Sequence, residues 1–258
     1  MRGVPRLLGT VSVCLTLLGV VGAPACGGGG GATVGPMPRG GRVLFIGNSL
    51  TYANDLPEMV RGMTVAAGLP AVEVESVAFP DFNLDDHRAQ GDAVRAIASK
   101  SWTLVVLQQG PSSLEENRAQ LRASVATYAA EIRKAGGRPA LYMVWPSLEN
   151  AWTFDRAVES YRLAADDVDG VLFPVGEAFR VARAKDAAAP LYDGDGYHPT
   201  VTGSYLAALV MVARMHDKSP VGLPRHFSVN GRVVEIPEAL ASLLQNAAAE
   251  ANARYPNP

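Results

Sequence analysis

Residues 42–51 read RVLFIGNSLT. The apolar run that ends at Ile46 is a buried-strand signal, Gly47 permits a tight turn, and a helical pattern follows from Leu56. Short apolar runs bounded by turn residues mark strands covered on both faces. The pattern repeats in VEVESVA (72–78), TLVVLQ (103–108), ALYMVW (140–145) and GVLFPV (170–175). Between these runs, helical periodicity occupies Leu56–Ala67, Leu84–Ala98, Glu115–Ala135 and Phe154–Ala165. An apolar helix, Ser204–Met215, follows His198, and Glu238–Ala253 reads as a last amphipathic helix. Residues 219–237, SPVGLPRHFSVNGRVVEIP, read as an irregular excursion. Strands alternating with helices predict a five-stranded parallel sheet with right-handed crossovers and helices on both faces. The expected fold is a three-layer α/β/α sandwich in one domain, residues 42–258.

In such a sheet, ligands bind beyond the carboxyl ends of the strands. Ser49 of GNSLT (47–51) stands at the end of the first strand, where the next helix aims backbone N–H groups at whatever bonds it. By itself GNS also reads as a capped polar turn. The second element is DGDGYHP (193–199), on the turn before the apolar helix. There His198 can draw a proton from a serine hydroxyl, and Asp195 on the same loop can hold the resulting imidazolium. Asp193, Asp195 and His198 are also metal donors in type. The loop lacks the further acidic ligands of a calcium loop, and no His-x-x-x-His occurs, so no metal is expected.

Taken together, GNSLT and Asp195-Gly-Tyr-His198 resemble the two end motifs of the SGNH (GDSL-like) hydrolases, over roughly Arg42 to Leu223. The resemblance implies a flavodoxin-like α/β/α fold, a serine esterase with Ser49, His198 and Asp195 as triad, and no cofactor. It also implies an oxyanion hole built from the Ser49 N–H, a glycine N–H after the second strand and an asparagine amide after the third. Here Asp81 of AFPDFNLDDH stands for the glycine, a departure that brings a carboxylate near the oxyanion. After the third strand VVLQQGPSS offers Gln108 or Gln109 in place of asparagine, with Ser112 reached by matching Gly110; Gln108 is the favoured donor. The G-x-S-x-G elbow of the α/β-hydrolases fits less well, because Thr51 stands two residues after Ser49.

The 258 residues carry a net charge of −2, so no basic field points to nucleic acid. The N-terminus has its own logic. Arg2 and Arg6 precede a nearly continuous apolar run, Leu7–Val21, and Ala23-Pro24-Ala25 follows. That is the layout of a secretory signal, residues 1–25. Cys26 comes next, and then Gly27–Gly31, as in a bacterial lipoprotein whose cysteine is lipidated and tethered by a linker, residues 26–41. Loss of Arg2 and Arg6 leaves 21 basic against 25 acidic residues, or −4. With Cys14 in the apolar run, Cys26 alone remains and no internal disulfide is expected.

The expectation is therefore an exported, lipid-anchored or otherwise secreted esterase acting on a small-molecule or carbohydrate ester, with a short acyl group favoured by family resemblance. The competing expectation is an inactive surface lipoprotein that binds glycan or a partner through the same pocket, which the irregular Asp81 favours. Trp145 is read as a pocket or core-rim aromatic, His87 as a helix-face residue at the active-site edge, and His216 and His226 as surface residues.

Overall fold

The computed structural model describes residues 37–256, together with Met1 and Gly3. They fall into two units, residues 1–30 and 31–258. In the first, Met1 and Gly3 are exposed; every element below belongs to the second. The expected signal sequence and Cys26 lie outside the described residues, as does the linker up to residue 36. Met37, expected in that linker, is buried, and its N–H donates to Met215 O at 2.8 Å.

The chain runs β1 (Gly41–Gly47), α1 (Ser49–Tyr52), α2 (Leu56–Ala66), β2 (Val72–Ala78), α3 (Leu84–Gln90), α4 (Asp92–Ser99), β3 (Leu104–Leu107) and α5 (Glu115–Lys134). It continues through β4 (Arg138–Tyr142), α6 (Phe154–Asp166), β5 (Val171–Phe173), α7 (Val175–Lys185), α8 (Val201–Met215), β6 (His226–Val229), β7 (Arg232–Glu235) and α9 (Glu238–Arg254). The first five strands form one parallel sheet in the order β2-β1-β3-β4-β5. This is the expected sandwich. Helices α3 to α6 pack together on one face, and α2, α7, α8 and α9 associate on the other. The strand order reverses between β1 and β3, so the loops leaving these two strands diverge and open a crevice.

Helix α8 explains why the apolar run after His198 has no polar face. Every residue from Gly203 to Met215 is buried, because the helix is enclosed on all sides. Its end corrects one expectation. His216 is 2% exposed rather than a surface residue, while His226 is exposed on β6.

Other differences have local causes. The expected helix over 84–98 is two helices, broken where Gly91 takes φ 87°. The run GVLFPV stops being strand at Phe173, since Pro174 has no N–H for the ladder and stands instead at the start of α7, an unforeseen helix. The last expected strand residues of ALYMVW, Met143–Trp145, lie past β4 as buried loop. Within the supposed irregular excursion, β6 and β7 pair antiparallel around Asn230-Gly231, both at positive φ (48° and 79°). That dipeptide suits a two-residue hairpin turn.

Candidate active site

Ser49 begins α1 directly beyond β1. Its turn is held from below by a polar network. Asn48 caps the helix, its Oδ1 accepting from Leu50 N–H at 3.2 Å, while its Nδ2 donates to Phe82 O at 3.1 Å. Gln108, wholly buried at the end of β3, accepts from Asn48 N–H at 2.9 Å and from the Thr51 hydroxyl at 2.7 Å. Gly47 is required by this crowding, since a Cβ there would collide with Gln108 Oε1 and Thr51 Oγ1. His87 closes the turn from the far side: it is fully buried and its Nε2 meets Gly47 O at 2.7 Å. Burial holds its pKa below the ordinary histidine value, so the ring is kept neutral, as a donor to that carbonyl.

The second half of the site is the loop before α8. An isolated bridge between Tyr192 and Pro199 closes it, Asp193 N–H donates to His198 O at 2.7 Å, and Gly196 turns the chain at φ 70°. Thr200 caps α8, its hydroxyl accepting from Gly203 N–H at 3.2 Å. Two outside bonds fix the loop's position. Trp145 Nε1–H donates to Tyr197 O at 3.0 Å, and Leu148 N–H donates to Gly196 O at 2.8 Å. Trp145 itself is buried and stacked on Phe179 at 3.5 Å, so it acts as a core strut. Asn54, at φ 55°, joins the two halves by donating to Pro199 O and to Ser204 Oγ, each at 2.9 Å.

These elements bring together residues separated by 149 positions: His198 Nε2 lies 2.8 Å from Ser49 Oγ. On the other side of the ring, Nδ1 lies 2.5 Å from Asp195 Oδ2. Asp195 Oδ1 accepts from the N–H groups of Tyr197 and His198, both at 2.9 Å. The bond to His198, with those two backbone donors, lowers the Asp195 pKa to about 2. With Nδ1 donating to the carboxylate, Nε2 is the free base facing the hydroxyl. A proton leaving Oγ has a receiver, and the cation formed has a counter-charge. Asp193 stands apart, its carboxylate turned back to Gly194 N–H at 2.8 Å.

The expected oxyanion residues fare differently. Asp81 takes φ 60°, the left-handed conformation that glycine favours, which agrees with its match to a glycine. Gln108 is corrected. Both hydrogens of its Nε2 are engaged, one with Asn48 Oδ1 at 2.9 Å and one with Gln109 O at 2.8 Å, so none remains for an oxyanion. Gln109 is the neighbour with capacity left. Its Oε1 is anchored by Leu84 N–H at 3.2 Å and one Nε2 hydrogen goes to Ser112 Oγ at 2.9 Å. Ser112 thereby serves as the acceptor that holds Gln109. Among the described residues no cluster of three or more His, Cys, Asp or Glu side chains could hold a metal ion.

No protein-family profile matches this chain, and no curated protein does. Solved structures do. A DUF4886 family protein from Bacteroides uniformis superposes with a TM-score of 0.66 at 18% identity, covering 84% of this chain and 96% of its own. An acetylxylan esterase from Geobacillus stearothermophilus superposes with a TM-score of 0.55 at 16% identity, covering 69% and 95%. At those identities the likeness is one of fold. An SGNH hydrolase from Slackia heliotrinireducens is similar at 30% identity and a TM-score of 0.59, over 69% of this chain and 100% of its own. A serine and an Asp-x-x-His loop meeting at the crevice of a parallel sheet, with that identity along a whole relative, place the chain in the SGNH hydrolase family.

Proposed function

We propose that this chain hydrolyses a carboxylic ester through an acyl-enzyme on Ser49. The reading rests above all on the 2.8 Å approach of Ser49 Oγ to His198 Nε2, with Asp195 behind the ring. Oγ attacks the acyl carbon as its proton passes to Nε2. The tetrahedral oxyanion is held by the N–H groups of Ser49 and Asp81 and by the remaining Nε2 hydrogen of Gln109. Collapse of the intermediate expels the alcohol, which takes the proton from His198. Water, deprotonated by the same nitrogen, then releases the acid and restores Ser49. The acyl group is short and the alcohol a carbohydrate, a choice supported by the acetylxylan esterase among the similar structures.

The test is turnover of p-nitrophenyl acetate and octanoate by the chain and by Ser49→Ala. Acetate turnover that disappears in the variant supports the proposal. Turnover that survives in Ser49→Ala, or none in either protein, overturns it, and the latter leaves the binding-protein reading.

Export and anchoring through Cys26 are proposed from Arg2, Arg6, the apolar run Leu7–Val21 and the small residues before Cys26. Cells fed labelled palmitate should label the protein, and Cys26→Ser should not label. An unlabelled, unprocessed chain would refute the anchor.

A further inference from the structure

A cavity of about 420 Å³ lies between the loop after β3 and the loop after β4, beside the triad. Tyr197, immediately before His198, forms part of its wall. The Tyr197 ring stands 5.3 Å from the imidazole, edge to face, so cavity and triad share one wall. Among the lining residues is Trp152, which is 70% exposed although it is the largest apolar group there. Arg156 packs over the ring at 5.3 Å. The remaining polar lining is neutral: Asn117, Asn150, Ser113 and Ser147 contribute amides and hydroxyls. Among the described residues no Asp, Glu, Lys or Arg lines the cavity.

This lining selects a ligand chemistry. An exposed flat aromatic ring suits a ligand with a flat apolar face. Uncharged donors and acceptors suit a ligand rimmed with hydroxyls. Among the described residues no carboxylate or ammonium lines the cavity to pair with a charged one, and the guanidinium of Arg156 is packed over Trp152. A pyranose has both features: axial C–H groups on its face and hydroxyls around its edge. Asn150 Nδ2 and Ser147 Oγ already bond each other at 3.0 Å, and an alkyl chain would offer nothing to the amide of Asn117 or the hydroxyl of Ser113. We propose that this cavity is a sugar subsite: it seats a neutral pyranose ring on Trp152, as the alcohol part of the ester cleaved at Ser49. The inference rests on the ester-hydrolase reading for its last clause only; the binding of the ring stands apart from it.

Two experiments separate these claims. The first compares kcat/KM for methyl β-D-xylopyranoside triacetate with that for p-nitrophenyl acetate, in the unaltered chain and in Trp152→Ala. The subsite predicts that the ratio favouring the sugar acetate falls about tenfold in the variant. An unchanged ratio overturns it. The second needs no turnover. The chain has three tryptophans, and Trp102 and Trp145 are buried (3% and 0% exposed), so acrylamide quenching reads Trp152. In Ser49→Ala, xylotriose should protect the fluorescence from acrylamide, and n-octanol should not. Protection without hydrolysis of either acetate upholds the subsite and rejects the esterase. Hydrolysis without protection or sugar preference upholds the esterase and rejects the subsite. Protection by octanol alone also rejects it.

Discussion

Gln108 grips Asn48 at both ends of its amide: Oε1 accepts from the Asn48 backbone N–H and Nε2 donates to Asn48 Oδ1, each at 2.9 Å. One buried side chain at the end of β3 thus fixes the turn that presents Ser49 from the end of β1. The position of Ser49 is set by the neighbouring strand as much as by its own.

Gln108 and Gln109 should therefore fail in different ways. Gln108→Ala leaves Asn48 and Thr51 with unpaired buried groups, and a loss of about 2–3 kcal/mol is expected in denaturant unfolding. Gln109→Ala also strands Leu84 N–H, so it too should cost stability. In addition it should lower kcat by about 10²–10³ with little change in KM, as for loss of one oxyanion donor. Equal effects of the two on kcat, at equal stability, would contradict this division.

Gly47→Ala places a methyl group against Gln108 Oε1 and Thr51 Oγ1. The network must open to admit it, at about 1–3 kcal/mol, and Ser49 moves with it. Thermal unfolding and ester turnover are both expected to drop, whereas Gly110→Ala, whose Cβ would meet nothing within 4 Å, should leave the fold as it was.

Asp195→Asn should lower kcat by about 10⁴, because an amide can donate to Nδ1 and impose the wrong tautomer. In the unaltered chain the carboxylate, with its pKa lowered to about 2, stays ionised far into acid. A carboxylate lowered in the fold contributes stability above its ordinary value of 3.8 that is lost as pH falls toward 2. Any acid limb in the rate profile above pH 4 is then not the titration of Asp195. A limb that moved in Asp195→Glu by the difference between the two carboxylates would argue the reverse.

Among the described residues, buried His216 has no hydrogen-bond partner at either ring nitrogen, and burial depresses its pKa below 6.5. The unfolded chain takes up a proton below pH 6.5 and the folded ring resists it, so stability declines as pH falls through that range. His87 adds to the same decline. His216→Leu should be at least as stable at pH 7.5 and about 1 kcal/mol more stable than the parent at pH 5.5. Melting curves at the two pH values would show it; a variant that loses stability at both would mean the imidazole has a bonding role.

The sheet was legible because each of its strands is an apolar run too short for a helix, and the long helices kept their period. Helix α7 was not, since VGEAFRVARAK begins inside the last apolar run and its polar residues interrupt any simple stripe. The hairpin's Asn-Gly signal lay in a segment with strands of only four residues each. The pairing of Asp195 with His198 was readable for a local reason: the two share one turn, so a motif carries both. The different bonding of Gln108 and Gln109 was not. Successive side chains at a strand end point to opposite sides, and sequence alone does not tell which of Gln108 and Gln109 turns toward Asn48. Nor does it reveal that α9 packs along α8, the kind of covering that puts a helix-end histidine out of reach of solvent.

The self-closed loop that carries Asp195 and His198 also bears on assembly. Its bridge, its Asp193–His198 backbone bond and the two N–H groups on Asp195 all lie between Tyr192 and Pro199. The Asp195 and His198 side chains are thus aligned on each other by contacts a few residues apart. Only the meeting of His198 with Ser49 spans 149 positions. Loop-closure entropy rises with the logarithm of loop length and is incurred once for each distant encounter. Activity in a refolding experiment should accordingly appear with the docking of α8 beside α2, the packing that brings the His198 loop to the Ser49 turn.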